Sequence, residues 1–238
     1  MLFDTHAHLN DPAFDPDREE LMASFAEAGV GLVMNPGCSL ESSRNAVQLA
    51  NTYDYIYAAV GSHPDVADEV NEEVLEEYKK LCKLSPKVKA IGEIGLDYAC
   101  GVDRDKQLLV FQAQLEIAQR AGKGVVIHCV RAFEKVMECL KNYSLKFVIF
   151  HGFIGSVQQA KRAIDVGHYL SFGPNAFRSP KTIAALLSTP ENRLFAETDD
   201  SGEAIENVYS KIAQTRGISV EELKEIIENN YNKIFNIY

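Results

Sequence analysis

LFDTHAHLNDPAFDP, residues 2–16, is the stretch on which the fold turns. An apolar start runs straight into Asp4 and then into His6 and His8, one residue apart. An open, doubly wound sheet usually follows its first strand with a glycine-rich phosphate loop. No glycine occurs in this segment, which favours the rival architecture, a closed parallel barrel.

Outward from this stretch, short β-branched runs alternate with longer amphipathic ones. Strands are expected near residues 2–6, 31–35, 56–61, 88–94, 125–128, 147–151, 169–172 and 194–198. Helical patterns fall between them. DREELMASFAEAG (17–29) aligns Leu21, Met22, Phe25 and Ala28 and stops at Gly29. DRDKQLLVFQAQLEIAQRAG (103–122) aligns Leu108, Phe111, Leu115 and Ala118, with Asp103 as N-cap and Gly122 past the end. SVQQAKRAIDVG (156–167) stops in the same way, and further helical segments, including SVEELKEIIENNYNKIFNIY (219–238), follow the last strand. Eight strands alternating with helices predict an α/β fold, a distorted TIM (β/α)8 barrel with extra C-terminal helices. No repeat or linker interrupts the pattern, so a single domain spanning 1–238 is expected.

The composition agrees with that reading. The chain has 238 residues, 46% hydrophobic and 24% charged, enough to bury a sizeable core. No apolar run reaches bilayer length. Asp4 interrupts the apolar start, so no signal peptide is expected and a cytoplasmic location is. Five scattered cysteines without CxxC spacing read as reduced thiols rather than as a disulfide framework or a zinc knuckle. The net charge of −10, with no Lys/Arg-rich stretch, argues against a face that coats duplex DNA.

Active sites of parallel barrels collect at the carboxyl ends of strands. Five of the six histidines fall at or just past such ends: His6, His8, His63, His128 and His151. Two carboxylates join them, Glu93 in AIGEIGLDY and Asp199 in ETDD. A lone histidine at a strand end usually makes a local hydrogen bond; five with two acids in one ring point to metal. Residues i and i+2 on a strand share a face, so His6 and His8 are placed to grip one ion. The remaining histidines suit a second, with a carboxylate between them. His168 begins a strand, at the opposite rim, and reads as structural.

FDTHAHL, GSHP, AIGEIGLDY, VVIHC, HGFIG and ETD, in that order, resemble the TatD family of metal-dependent deoxyribonucleases within the amidohydrolase-like barrels. The likeness runs from Leu2 to NNYNKIF, and GEIGLDY is its most specific piece. It implies one or two divalent ions (Mg, Mn or Zn) and phosphodiester hydrolysis of the 3'-5' exonuclease type on DNA ends or single strands. Carried over by position, His6, His8 and Asp199 would hold a first metal, and His128 and His151 a second, with Glu93 bridging. His63 would serve substrate or proton transfer, making Asp199, Glu93 and His63 the catalytic set.

The sequence departs from the family pattern in HCVRAF, which puts Arg131 one residue later than usual, in HGFIG and SFGPN, and in Ser201 where a proline is usual. None of these removes a ligand; all alter loops around the substrate. A small-molecule amidohydrolase or esterase using the same centre therefore stays open, as does a non-catalytic metal-binding protein. Asp199 is placed to take a proton from a metal-activated water. Glu197 shares its face and either orients a ligand or forms a salt bridge. Asp97 and Tyr98 orient neighbours, and Asp4 is expected to buttress a histidine ring through its second nitrogen. Two divalent ions against two carboxylates leave the site locally positive by roughly two charges. Weak, non-sequence-specific DNA binding follows, with Arg131 and Arg178 available for a neighbouring phosphate.

Overall fold

The computed structural model describes residues 1–235; the last three residues of the expected C-terminal segment, 236–238, lie outside the described residues. Eight parallel strands appear: β1 (Leu2–Asp4), β2 (Val30–Pro36), β3 (Ile56–Val60), β4 (Val88–Asp97), β5 (Gly124–Val130), β6 (Val148–Phe150), β7 (Tyr169–Phe172) and β8 (Leu194–Ala196). They form one sheet in chain order. Beyond the ends of β1 and β8, Ala7 bridges Asp199 in parallel and the Thr5 N–H donates to the Ala196 carbonyl at 3.1 Å. The first and last strands are thereby joined, and the fold is the expected (β/α)8 barrel.

Helices α1 (Arg18–Glu27), α2 (Leu40–Thr52), α3 (Glu72–Leu84), α4 (Arg104–Arg120), α5 (Phe133–Leu140), α6 (Val157–Asp165) and α7 (Pro180–Ser188) connect successive strands; α8 (Ile205–Arg216) and α9 (Val220–Phe235) follow β8. The sequence signals act locally as expected. The Asp103 carboxylate caps α4 by accepting from Lys106 N–H at 2.9 Å. Ser156 and Gln159 close a capping box at the start of α6. None of the helices among the described residues is long and apolar enough to cross a membrane.

By their internal contacts the residues group into two compact units. The first comprises Met1–Met34 and the chain from His151 onward. In it β1 pairs with β2 and β7 with β8. A register shift between Leu2 and Phe3 loosens the ladder, and α8 takes up the slack. The fully buried Tyr209 hydroxyl accepts from Phe3 N–H and donates to Phe3 C=O, both at 3.0 Å. Asn230 of α9 donates to Leu194 C=O at 2.9 Å. The extra C-terminal helices thus satisfy backbone groups that the strands leave open.

The second unit, Asn35–Phe150, carries β3 to β6 in continuous parallel pairing. Between Ile91 and Ile94 of β4 the register against β5 slips by one residue, placing Glu93 in a bulge, a device that re-aims a side chain. Gly95 follows with φ +154°, and a Cβ there would lie 1.9 Å from the His128 carbonyl oxygen. Only glycine fits that close approach, which accounts for the second glycine of GEIG.

Two buried polar residues of α4 brace the strand ends. Gln114 Oε1 accepts from Ser62 N–H at 2.7 Å and its Nε2 donates to Ser62 C=O at 3.1 Å. Gln107 does the same for Asp97, at 2.8 and 2.9 Å. Both glutamines are 1% exposed.

Candidate metal centre

In the first unit β1 stops at Asp4, two residues short of the expected strand, and His6 and His8 flank the isolated bridge residue Ala7. The alternation survives. His6 and His8 bring their Nε2 atoms to 3.0 Å of each other. Asp199 Oδ1 lies 3.4 Å from His8 Nε2 and 3.7 Å from His6 Nε2. Asp199 reaches them because its backbone turns to φ +56° while its N–H donates to the His6 carbonyl at 2.7 Å. A non-glycine residue held there costs about 1–2 kcal/mol, a strain concentrated at functional positions.

The His151 ring stacks on His6 at 3.9 Å between centroids, and His151 Nδ1 lies 3.4 Å from Glu197 Oε1. Glu197 is fully buried. Its Oε1 accepts from Gly152 N–H, while Oε2 has no hydrogen-bond partner. A buried carboxylate oxygen in that state calls for a cation. Ligand atoms of His151, Glu197 and Asp199 lie within 4.8 Å of one another, as do those of His6, His8 and Asp199. Glu197 is therefore a stronger ligand candidate than its sequence context suggested.

Asp4 behaves differently from the expectation. It supports the backbone of His6 rather than the ring: Oδ1 accepts from the N–H groups of His6 and Thr198, both at 3.1 Å, and Oδ2 from the Thr198 hydroxyl at 2.6 Å. Burial pushes its carboxyl up to about 7, against those hydrogen bonds. Asp4 thus ties the loops carrying His6 and Asp199 together.

In the second unit, Glu93 Oε1 lies 2.7 Å from His128 Nδ1 and 3.7 Å from His63 Nε2. Cys38 Sγ is 3.7 Å from Glu93 Oε2. The ligand atoms of His63, Glu93 and His128 fall within 4.8 Å of one another. His128 Nε2 meets Asp97 Oδ2 at 3.1 Å. Burial raises the Asp97 carboxyl, but hydrogen bonds from Ala99, His128 and Cys100 and the His128 charge outweigh it and hold the group low. The His128 ring thus has a carboxylate at each nitrogen, Asp97 at Nε2 and Glu93 at Nδ1, and a carboxylate on one nitrogen is the usual support of an imidazole that holds a metal through the other. His63 Nδ1 pairs with Asp65 at 2.5 Å.

The donor set of each unit, imidazole and carboxylate, suits a divalent ion of the Zn, Mn or Mg kind. Arg131 and Arg178, beyond β5 and β7, are both exposed. His168 lies half-buried just before β7, and burial together with the Arg193 charge lowers it to about 4.

Comparison with known proteins agrees with this chemistry. A family model described as TatD related DNase matches residues 3–236. The chain is 33% identical to the uncharacterized metal-dependent hydrolase YabD of Bacillus subtilis, over 100% of both proteins. It is 27% identical to the 3'-5' ssDNA/RNA exonuclease TatD of Pectobacterium parmentieri, over 99% of this chain and 100% of that one. The crystal structure of YjjV, a TatD homolog from Escherichia coli, superposes with TM-score 0.92 at 30% identity, covering 100% of this chain and 98% of that one.

Proposed function

The chain belongs to the TatD-related DNase family of metal-dependent hydrolases, and from that premise we propose that it is a phosphodiesterase acting on single strands or ends of DNA. The observation that carries the reading is the meeting of His6, His8 and Asp199 ligand atoms within 4.8 Å, from opposite ends of the sequence. Relatives named 3'-5' ssDNA/RNA exonuclease supply the substrate class and the direction. We take the chain to work as one domain, since the family match runs through both units. Five free thiols suit a reducing compartment such as the cytoplasm.

In this reading His6, His8 and Asp199 would hold one divalent ion, with His151 and Glu197 beside them, and in the second unit His128 and Glu93 would hold an ion of their own. A bound divalent ion polarises the phosphoryl oxygen and makes water a nucleophile at neutral pH. Asp199 accepts the proton of the attacking water. Asp97 holds the His128 ring with one nitrogen turned inward. His63, oriented by Asp65, stands beside Glu93 to bind the leaving oxygen or return a proton to it. Asp4 keeps the His6 and Thr198 backbones in register.

The test is a panel of three substrates, each with and without EDTA: single-stranded DNA, a chromogenic phosphodiester, and a lactone or amide. Chelator-sensitive turnover of the first two is expected. Turnover of the third alone would replace the phosphodiesterase with an amidohydrolase or esterase.

A further inference from the structure

A chain of net charge −10 gathers four lysines at the amino ends of three neighbouring strands. Lys87 immediately precedes β4 and Lys89 lies within it; Lys123 immediately precedes β5, and Lys146 lies two residues before β6. The pairings Ala90↔Gly124 and Val125↔Val148 set Lys89, Lys123 and Lys146 side by side across the sheet edge. The Lys146 N–H donates to the Lys123 carbonyl at 3.3 Å. Lys89 and Lys87 place Nζ over the Tyr57 ring, 4.7 and 5.6 Å from its centre, and the Tyr53 and Tyr55 rings lie 5.9 Å apart on the approach to β3.

Like charges set opposite one another in a sheet are destabilising. Among the described residues, the one acid paired with this group is Asp54, fully exposed and 3.8 Å from Lys87. Burial, and then the charges of Lys123, Lys146 and Lys87, hold the Lys89 ammonium below the ordinary lysine range. Lys87 and Lys123 also donate from Nζ to the Asp54 and Val88 carbonyls, both at 2.6 Å, but these neutral acceptors leave the net positive charge of the group in place, open to an anion from outside the chain.

We infer that the Lys87–Lys89–Lys123–Lys146 row, with Tyr57 beneath it, binds the phosphate backbone of a single-stranded nucleic acid at the rim of the second unit opposite Glu93 and His128. Three strands at a spacing of about 4.8 Å make a row of roughly 10 Å, long enough for two or three successive phosphates. Tyrosine rings beside lysines are the usual furniture of sequence-tolerant single-strand binding. The inference rests on the nuclease reading and adds a second anchoring point to it. From Val88 to Asp97, β4 has ten residues, or about 33 Å of extended strand. At about 3.4 Å per stacked nucleotide, a strand held at both rims needs on the order of ten nucleotides or more.

The test compares wild type with the double variant Lys89→Gln/Lys146→Gln and with its charge-keeping counterpart Lys89→Arg/Lys146→Arg, after matching thermal melts. Binding of a fluorescent oligothymidylate of about 25 nucleotides is titrated against salt in EDTA. The Gln pair is expected to lower affinity about tenfold and the log–log salt slope by about 1.4, two phosphates at roughly 0.7 each; the Arg pair retains both. With metal, KM for the long strand rises about tenfold at unchanged kcat, while an oligonucleotide of about five residues and a chromogenic phosphodiester are turned over as before. Unchanged affinity and slope overturn the proposal, as does an equal loss on short and long strands. Loss of binding to phosphatidylserine vesicles with oligonucleotide binding intact also overturns it, in favour of a membrane surface. Wild type that binds through these lysines without cleaving DNA refutes the nuclease reading and leaves the binding row standing. Cleavage unaffected by the Gln pair does the reverse.

Discussion

Replacing Gln114 with leucine removes one side chain that holds a loop by two bonds. Its amide accepts from Ser62 N–H at 2.7 Å and donates to Ser62 C=O at 3.1 Å, where Ser62 is 2% exposed and Gln114 1%. Leucine fills nearly the same volume, so the loss is one of polar pairing. Each buried backbone group left unpaired costs about 1–3 kcal/mol; with some return from the added apolar contact, the net cost is about 2–4 kcal/mol. For a chain of this size a kcal/mol moves Tm by about 2–4 °C, so a drop of roughly 5–15 °C is expected. The next residue is His63, whose N–H donates to Cys38 C=O at 2.9 Å, so turnover should drop with the melt. The assay is differential scanning fluorimetry in EDTA, followed by kinetics with metal. A leucine variant melting within about 2 °C of wild type would refute the claim that this amide carries the Ser62 backbone.

Three further outcomes are expected. Asp199→Asn should keep the fold and lower kcat by about 10²–10⁴, the usual share of a positioned proton acceptor. His6→Ala should lose about one equivalent of ion by plasma emission, together with the metal-induced rise in Tm; a full complement in His6→Ala would remove that residue from the ligand set. His168 gives a pH signature. Its folded pKa near 4 lies below the unfolded value near 6.5, so the unfolded chain takes up the proton first. Stability is complete above pH 6.5 and falls as pH drops toward 4, by about 2 kcal/mol for a half-buried ring. His168→Asn should flatten that part of the denaturation profile relative to wild type, and an unchanged slope would count against it.

Much of the architecture could be read from short runs. Each of the eight expected strands exists, because β-branched runs bounded by helix stops such as Gly29, Gly122 and Gly167 leave few alternatives. The HxH pair was legible because two-residue alternation outlasts the end of β1 at Asp4. What escaped notice depends on partners distant in sequence. Gln107 and Gln114 sit with Phe111 and Ala118 on one face of α4; a polar residue in an apolar stripe was the available sign, but its target could not be read from periodicity. Glu197 precedes Asp199 by two residues, yet nothing local tells that its Oε2 is buried without a hydrogen-bond partner. The lysine row is invisible to a search for basic stretches, since its members come from three separate strand starts.

The joining of Ala7 to Asp199 has a bearing on biosynthesis. Two of the three proposed ligands of the first ion are made close together, and the third about 190 residues later. At 5–20 residues per second that interval is roughly 10–40 s. Throughout it the nascent polypeptide lacks the full ligand trio, so the proposed ion site cannot form until Asp199 has been made and has folded back onto the segment around Ala7.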